Sequence, residues 1–122
     1  MFEGLPARVQ VYEVGPRDGL QNEKAFVPTE DKVRLIEALI AAGLSRVELT
    51  AFVHPRWIPP MTDAEAVAAT YTGDARATYA ALVPNMKGLE RALEAGLGEV
   101  AVFMSASETH NLRNINKSRA DT

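Results

Sequence analysis

Arg17 and Asp18 stand side by side, followed by Gly19, Gln21, Asn22 and Glu23, directly after the apolar run "RVQVYEV". Charged and amide side chains massed at the end of a buried strand are what a binding or catalytic site is built from, because functional groups in parallel α/β sheets collect beyond the carboxyl ends of strands. Two more strand ends carry the same polarity. One supplies Glu48 and Thr50 with His54 just beyond, and the other Ser105, Ser107, Glu108 and His110. Glu48 is the most telling, since it lies between Val47 and Leu49 in an apolar strand. If those two face covering helices, Glu48 faces the opposite side, which in a barrel is the interior. A carboxylate buried there needs a cationic partner, and Arg17 is the natural one. The bland alternative is a loop-stabilising Arg–Asp contact followed by a common Asp-Gly turn. His54 and His110 read as solvated loop histidines, and Trp57, among three prolines, as a packed anchor for its loop. "VGPRDG" lacks the glycine spacing of a dinucleotide fingerprint.

The elements that position these groups alternate. Residues 8–14 read as a strand ending at Gly15-Pro16. Val33, Ile36, Leu39 and Ile40 recur at helical spacing between Thr29 and Ala42, and Gly43 is placed to end that helix in a left-handed turn. A second strand spans 44–52, and the proline-rich "HPRWIPP" follows. Thr62 and Glu65 have the spacing of a capping box, predicting a helix from about Asp63. A third strand spans 76–83; Met86, Leu89 and Leu93 define an amphipathic helix closed by Gly96; a fourth strand spans 98–104. The polar tail reads as a loop running into a helix start, with Asn111 to Thr122 the beginning of a fourth helix. Ala42-Gly43-Leu44-Ser45-Arg46-Val47 resembles Ala95-Gly96-Leu97-Gly98-Glu99-Val100, a faint repeat of helix end, tight turn and strand start. Strands alternating with helices imply βαβ units and a parallel sheet.

Composition bounds the function. The chain has 122 residues, one domain's worth, with 47% hydrophobic and 24% charged residues, ordinary for a globular protein. The net charge of −3, from 13 basic and 16 acidic residues, offers no basic stripe for nucleic acid or an anionic membrane. There is no cysteine, hence no disulfide, zinc–thiolate site or cysteine nucleophile within the chain. Neither a signal peptide nor a membrane-length apolar run is recognisable, and a cytoplasmic location is expected.

"VGPRDGLQNE" at 14–23 resembles the signature of 3-hydroxy-3-methylglutaryl-CoA lyases, metal-dependent lyases of a TIM-barrel superfamily that also holds condensing enzymes. Residues 35–63 and 82–116 resemble later βα units of the same family. The resemblance implies the first half of a (β/α)8 TIM barrel, with residues 1–122 a single partial domain of about four parallel strands. It implies retro-Claisen cleavage of an acyl-CoA substrate to acetoacetate and acetyl-CoA, as in leucine degradation and ketone-body metabolism. Asp18 would ligate Mg2+ or Mn2+. Arg17 would lie on the thioester carbonyl, and Gln21 would support substrate or metal geometry. Glu48 would hold Arg17 or act as a catalytic carboxylate itself, and Asn116 would lie near the substrate. The family's His-x-His pair, asparagine ligand and catalytic cysteine have no counterpart here, and Ala51 stands where relatives often have serine. The chain alone is therefore expected to be inactive, and to dimerise or associate with a C-terminal half. Two alternatives accompany this: a lyase or condensing enzyme acting on another acyl-CoA or 2-oxo acid, and a non-catalytic half-barrel that acts as an association module.

Overall fold

The computed structural model describes residues 3–122. Its centre is a three-stranded parallel sheet, ordered β1 (Arg46–Ala51), β2 (Thr78–Leu82) and β3 (Glu99–Ala101). Helices α1 (Thr29–Ala41), α2 (Ala64–Thr70), α3 (Met86–Glu94) and α4 (Glu108–Ile115) alternate with the strands. The expected βαβ order is therefore present. The core lies on one side of the sheet, where Val47, Leu49, Tyr79 and Ala81 pack against Ile36, Val67, Ala68 and Ala92 from the helices. Each large apolar side chain buried there stabilises the fold by about 1.5–3 kcal/mol. Tyr71 and Tyr79 stack across the base of this core, with ring centroids 4.9 Å apart.

The two repeated helix ends fold alike. Gly43 and Gly96 take φ of +96° and +81°. The Leu44 and Leu97 amides then donate to the carbonyls of Leu39 and Ala92 at 3.2 and 3.1 Å. These wrapped ends return the chain towards the next strand.

Several expected elements differ. Residues 8–14 form one β-bridge, Glu13 to Val47, in place of a strand. The segment has β1 on one side only and leaves Val9 and Val11 in solvent, so nothing packs it into a longer ladder. The fourth predicted strand shortens to Glu99–Ala101, an edge paired with β2 alone, with Val102 and Met104 exposed. The Thr62–Glu65 capping box does not form. Asp63 is the N-cap and makes no capping bond, because its carboxylate takes Lys32 and Thr29 instead, at 2.5 and 2.7 Å. Helix α3 turns Gly88 and Ala92 inward and leaves Met86 and Leu93 largely exposed. A Cβ on Gly88 would come within 2.6 Å of the Phe52 carbonyl oxygen, so only the small-residue stripe permits this approach. The tail helix starts at Glu108, capped by the Ser107 hydroxyl, and closes at Asn116 with φ +54°. Asn111, buried, ties the tail by accepting from the Ser105 amide and donating to the Lys117 carbonyl and the Thr122 hydroxyl.

Candidate active site

The turn after Glu13 brings the polar run into place. Residues Gly15–Gly19 form one π-helical turn in which the Val14 carbonyl accepts from the amides of Arg17 (3.0 Å) and Asp18 (2.7 Å). The Glu13 carboxylate accepts from the Gly15 amide at 2.6 Å, which fixes the entry to the turn. Arg17 then reaches back over the sheet. Its Nε donates to Glu48 Oε1 at 2.5 Å, and its Nη1 donates to Asp18 Oδ1 at 2.8 Å.

Glu48 is 2% exposed, on the sheet face opposite the Val47 and Leu49 core. Its second oxygen is also occupied, accepting from the Tyr12 hydroxyl at 2.6 Å. The buried carboxylate is thus satisfied on both oxygens, as burial of a charge requires. The phenol of Tyr12 is pushed well above its ordinary pKa, first by burial and then by its bond to Glu48 and the neighbouring carboxylate charges. Its ring lies beneath the Arg46 guanidinium, 5.2 Å from the centroid, and Arg46 in turn pairs with Glu99.

Beyond Arg17 opens a cleft of about 330 Å³, lined by Arg17, Gln21, His54, Trp57, Phe103 and Asn114 among others. Gln21 Oε1 is buried with no donor facing it among the described residues. An orphaned acceptor at the wall of a cleft marks a place where a ligand's donor or a cation would be accommodated. Asp18, bonded to Arg17, keeps its side chain about half exposed.

His54 does line the cleft, its Nδ1 accepting from the Arg56 amide at 3.3 Å. Trp57 is not a packed anchor. It is 79% exposed, with its ring 6.3 Å from that of His54. The prolines on either side set the loop's path while the indole overhangs the cleft. Asn116 occupies the left-handed position that closes α4, and Asn114, two residues earlier, is the one that lines the cleft. The third polar strand end stays apart from Arg17. The Ser105 hydroxyl accepts from the Ser107 amide, Ser107 caps α4, Glu108 pairs with Arg119 at 2.9 Å, and His110 faces a separate polar groove with Arg113.

Two constellations escaped the sequence reading. One is the Tyr12 partner of Glu48, for which the only signal was an aromatic residue in an alternating segment. The other is Lys32, which is buried on α1. Its Nζ donates to Asp63 Oδ1 at 2.5 Å and to the Pro60 carbonyl at 2.6 Å, beneath the ring of Phe26. Its signal was legible, because Lys32, Ile36 and Ile40 share one helical stripe and a lysine there needs a buried anion.

A hard divalent cation takes about six oxygen ligands. The Asp18 carboxylate and the Gln21 oxygen, which has no partner among the described residues, are both hard oxygen donors of the kind such an ion takes. Among the described residues no three His, Cys, Asp or Glu side chains converge, so a firm site would need ligands besides these. Among the same residues, no helix is long and apolar enough to cross a membrane.

The HMGL-like family model matches residues 8–122. The hydroxymethylglutaryl-CoA lyase YngG of Bacillus subtilis is 56% identical over 117 residues, which are 96% of this chain and 39% of that one. A solved Bacillus subtilis HMG-CoA lyase superposes with a TM-score of 0.88 at 57% identity, over 95% of this chain and 39% of that one. The 3-hydroxy-3-isohexenylglutaryl-CoA/hydroxy-methylglutaryl-CoA lyase of Pseudomonas aeruginosa is 52% identical over 97% of this chain and 39% of its own. An HMG-CoA lyase from Acinetobacter baumannii, solved with coenzyme A and 3-methylmalate, superposes at 0.85 with 45% identity, over 91% and 36%. The chain thus spans about 39% of the length of the curated relatives it matches first. The parallel strands and their helices are an arc of the lyases' TIM barrel, and the chain belongs to the HMGL-like family.

Proposed function

We propose that this chain carries the Arg17–Asp18–Glu48 part of a hydroxymethylglutaryl-CoA lyase site. The carrying observation is the buried Glu48 that holds the Arg17 guanidinium at the wall of a cleft, next to Asp18 and the orphaned Gln21 oxygen. The identity to lyases of Bacillus subtilis and Pseudomonas aeruginosa supports it.

In the reaction, the tertiary alcohol of the 3-hydroxy-3-methylglutaryl thioester loses its proton to a base. The carbon–carbon bond breaks, acetoacetate departs, and the enolate of acetyl-CoA is protonated. Negative charge grows on the thioester oxygen, where a preorganised donor is most effective. Arg17 is suited to that place. Glu48 takes Nε and Asp18 takes Nη1, which leaves Nη2 of the fork for the substrate. Gln21 would orient a substrate hydroxyl or a metal ligand, and Asn114 or Asn116 would contact substrate from the α4 end. A divalent cation, Mg2+ or Mn2+, when bound, supplies Lewis-acid stabilisation of the substrate oxygens. Asp18 would hold it together with ligands from the remaining strands, so the chain alone would be inactive. Association with those strands, homodimerisation and a cytoplasmic location belong to the same reading. Relatives from rat include both a mitochondrial and a cytoplasmic lyase.

A second reading is favoured by the apolar walls of the cleft. Trp57, Ile58, Phe103 and Ile115 would accept a longer 3-alkyl group, as the name of the Pseudomonas aeruginosa relative suggests. The test grafts this chain in place of the matching 39% of the Bacillus subtilis lyase and assays thioester cleavage with Mg2+ or Mn2+. Activity lost on Arg17→Gln and on Asp18→Asn supports the proposal. A folded graft without activity, or one indifferent to both changes, refutes it. Comparing 3-methyl with longer 3-alkyl substrates decides between the two readings.

A further inference from the structure

The Glu48 carboxylate has two oxygens and the Arg17 guanidinium five donors, yet only one bond joins them. Arg17 Nε donates to Oε1 at 2.5 Å, while Oε2 is taken by the Tyr12 hydroxyl at 2.6 Å. Arginine and carboxylate ordinarily favour a two-pronged pairing in which a second guanidinium nitrogen closes on the second oxygen. Here the phenol occupies that oxygen. Nη1 turns to Asp18 Oδ1 at 2.8 Å, and among the described residues no acceptor is bonded to Nη2. The phenol is itself held in place. Its ring sits under the Arg46 guanidinium, and Arg46 is fixed by its ion pair to Glu99.

We propose that Tyr12 is a positioning residue for Arg17. By donating to Oε2 of Glu48 it keeps the carboxylate on Nε alone and leaves Nη2 free for an oxyanion in the cleft. Without the hydroxyl, Oε2 would be a buried anionic oxygen lacking a donor, which is costly. The nearest remedy is a turn of the carboxylate to take Nη2 as well. The guanidinium would then be closed on Glu48 and withdrawn from the cleft. In catalysis this rests on the lyase reading above; as a statement about the guanidinium it stands on the contacts alone.

The test is Tyr12→Phe, which removes one oxygen and keeps the ring under Arg46. In the 15N-labelled chain, the Arg17 guanidinium signals are assigned by their loss in Arg17→Lys. Tyr12→Phe is expected to add a strongly shifted, slowly exchanging Nη2 signal to the Nε signal already present. An unchanged guanidinium spectrum in a folded Tyr12→Phe chain overturns the proposal. Should that variant fail to fold, the unmutated chain decides. A phenolic proton bonded to a buried carboxylate gives a slowly exchanging downfield signal that Glu48→Gln shifts upfield, and absence of the signal overturns the proposal.

In the active graft, Tyr12→Phe is expected to lower kcat about tenfold with KM changed less than about twofold, the pattern of a lost transition-state interaction. A purely structural tyrosine would lower stability and leave kcat of the folded enzyme alone, which also overturns the proposal. If the unmutated graft proves inactive while the Nη2 signal responds, the lyase reading fails and the positioning by Tyr12 stands.

Discussion

Replacing Glu48 by alanine tests the centre of the site most directly. The carboxylate is 2% exposed and accepts two short bonds, from Arg17 Nε at 2.5 Å and from the Tyr12 hydroxyl at 2.6 Å. Bonds to a charged group contribute about 1.5–3 kcal/mol each. Removing one partner of a buried ion pair costs about 3–5 kcal/mol, because the other charge stays behind unpaired. The Arg17 side chain is 16% exposed and so keeps little access to solvent. A loss of about 3–5 kcal/mol is therefore expected for Glu48→Ala, a large part of the roughly 5–15 kcal/mol that holds a domain folded. In urea unfolding followed by circular dichroism, with a slope of about 2 kcal/mol per molar, the midpoint would fall by about 2 M. The pair Arg17→Met with Glu48→Met, which removes both charges and restores apolar volume, should recover most of that loss. A cost below about 1 kcal/mol for Glu48→Ala would be that of a surface ion pair and would refute the reasoning. So would a double variant no more stable than Glu48→Ala.

Lys32→Met should leave Asp63 unpaired beneath the proline-rich loop and cost about 3 kcal/mol in denaturant unfolding, with Trp57 fluorescence reporting the displaced loop. Gly88→Ala drives a Cβ to 2.6 Å from the Phe52 carbonyl oxygen and should cost about 1–3 kcal/mol by forcing α3 away from the sheet. The Arg76 guanidinium holds the Asp74 carboxyl down to about 2 from its ordinary 3.8. This contribution to stability is complete above pH 3.8 and is lost as pH falls towards 2, and Asp74→Asn should flatten that limb of a pH–melting curve. Asp18→Asn should leave the melting curve of the chain nearly unchanged, since the carboxylate is about half exposed, while abolishing cleavage in the graft.

The order of helices and strands was legible from periodicity because each helix and inner strand buries its own apolar stripe. Val33, Ile36 and Ile40 announce α1, and Gly43 and Gly96 announce their left-handed ends. The Glu48–Arg17 partnership was legible too, since a carboxylate between Val47 and Leu49 has to find a cation. Side-chain destinations that depend on distant neighbours were not. Asp63 has the sequence of a helix start but spends its carboxylate on Lys32, 31 residues away. Met86 and Leu93 have the spacing of a core face, yet α3 packs through Gly88 and Ala92 because the Phe52 carbonyl admits nothing larger. Residues 8–14 have the composition of a strand and form a single bridge, with Val9 and Val11 left in solvent, because composition does not say which neighbour will pack against a segment.

By itself, then, the sequence determined the alternation of elements, the polar strand end at Arg17 and Asp18, and the need of Glu48 for a cation. These follow from local periodicity and from the cost of a buried charge. Only the tertiary structure decided that Tyr12 shares Glu48, that Gln21 has no donor among the described residues and that Trp57 overhangs the cleft. Those contacts join segments far apart in the chain, and their geometry is set by packing between elements, which no local pattern records.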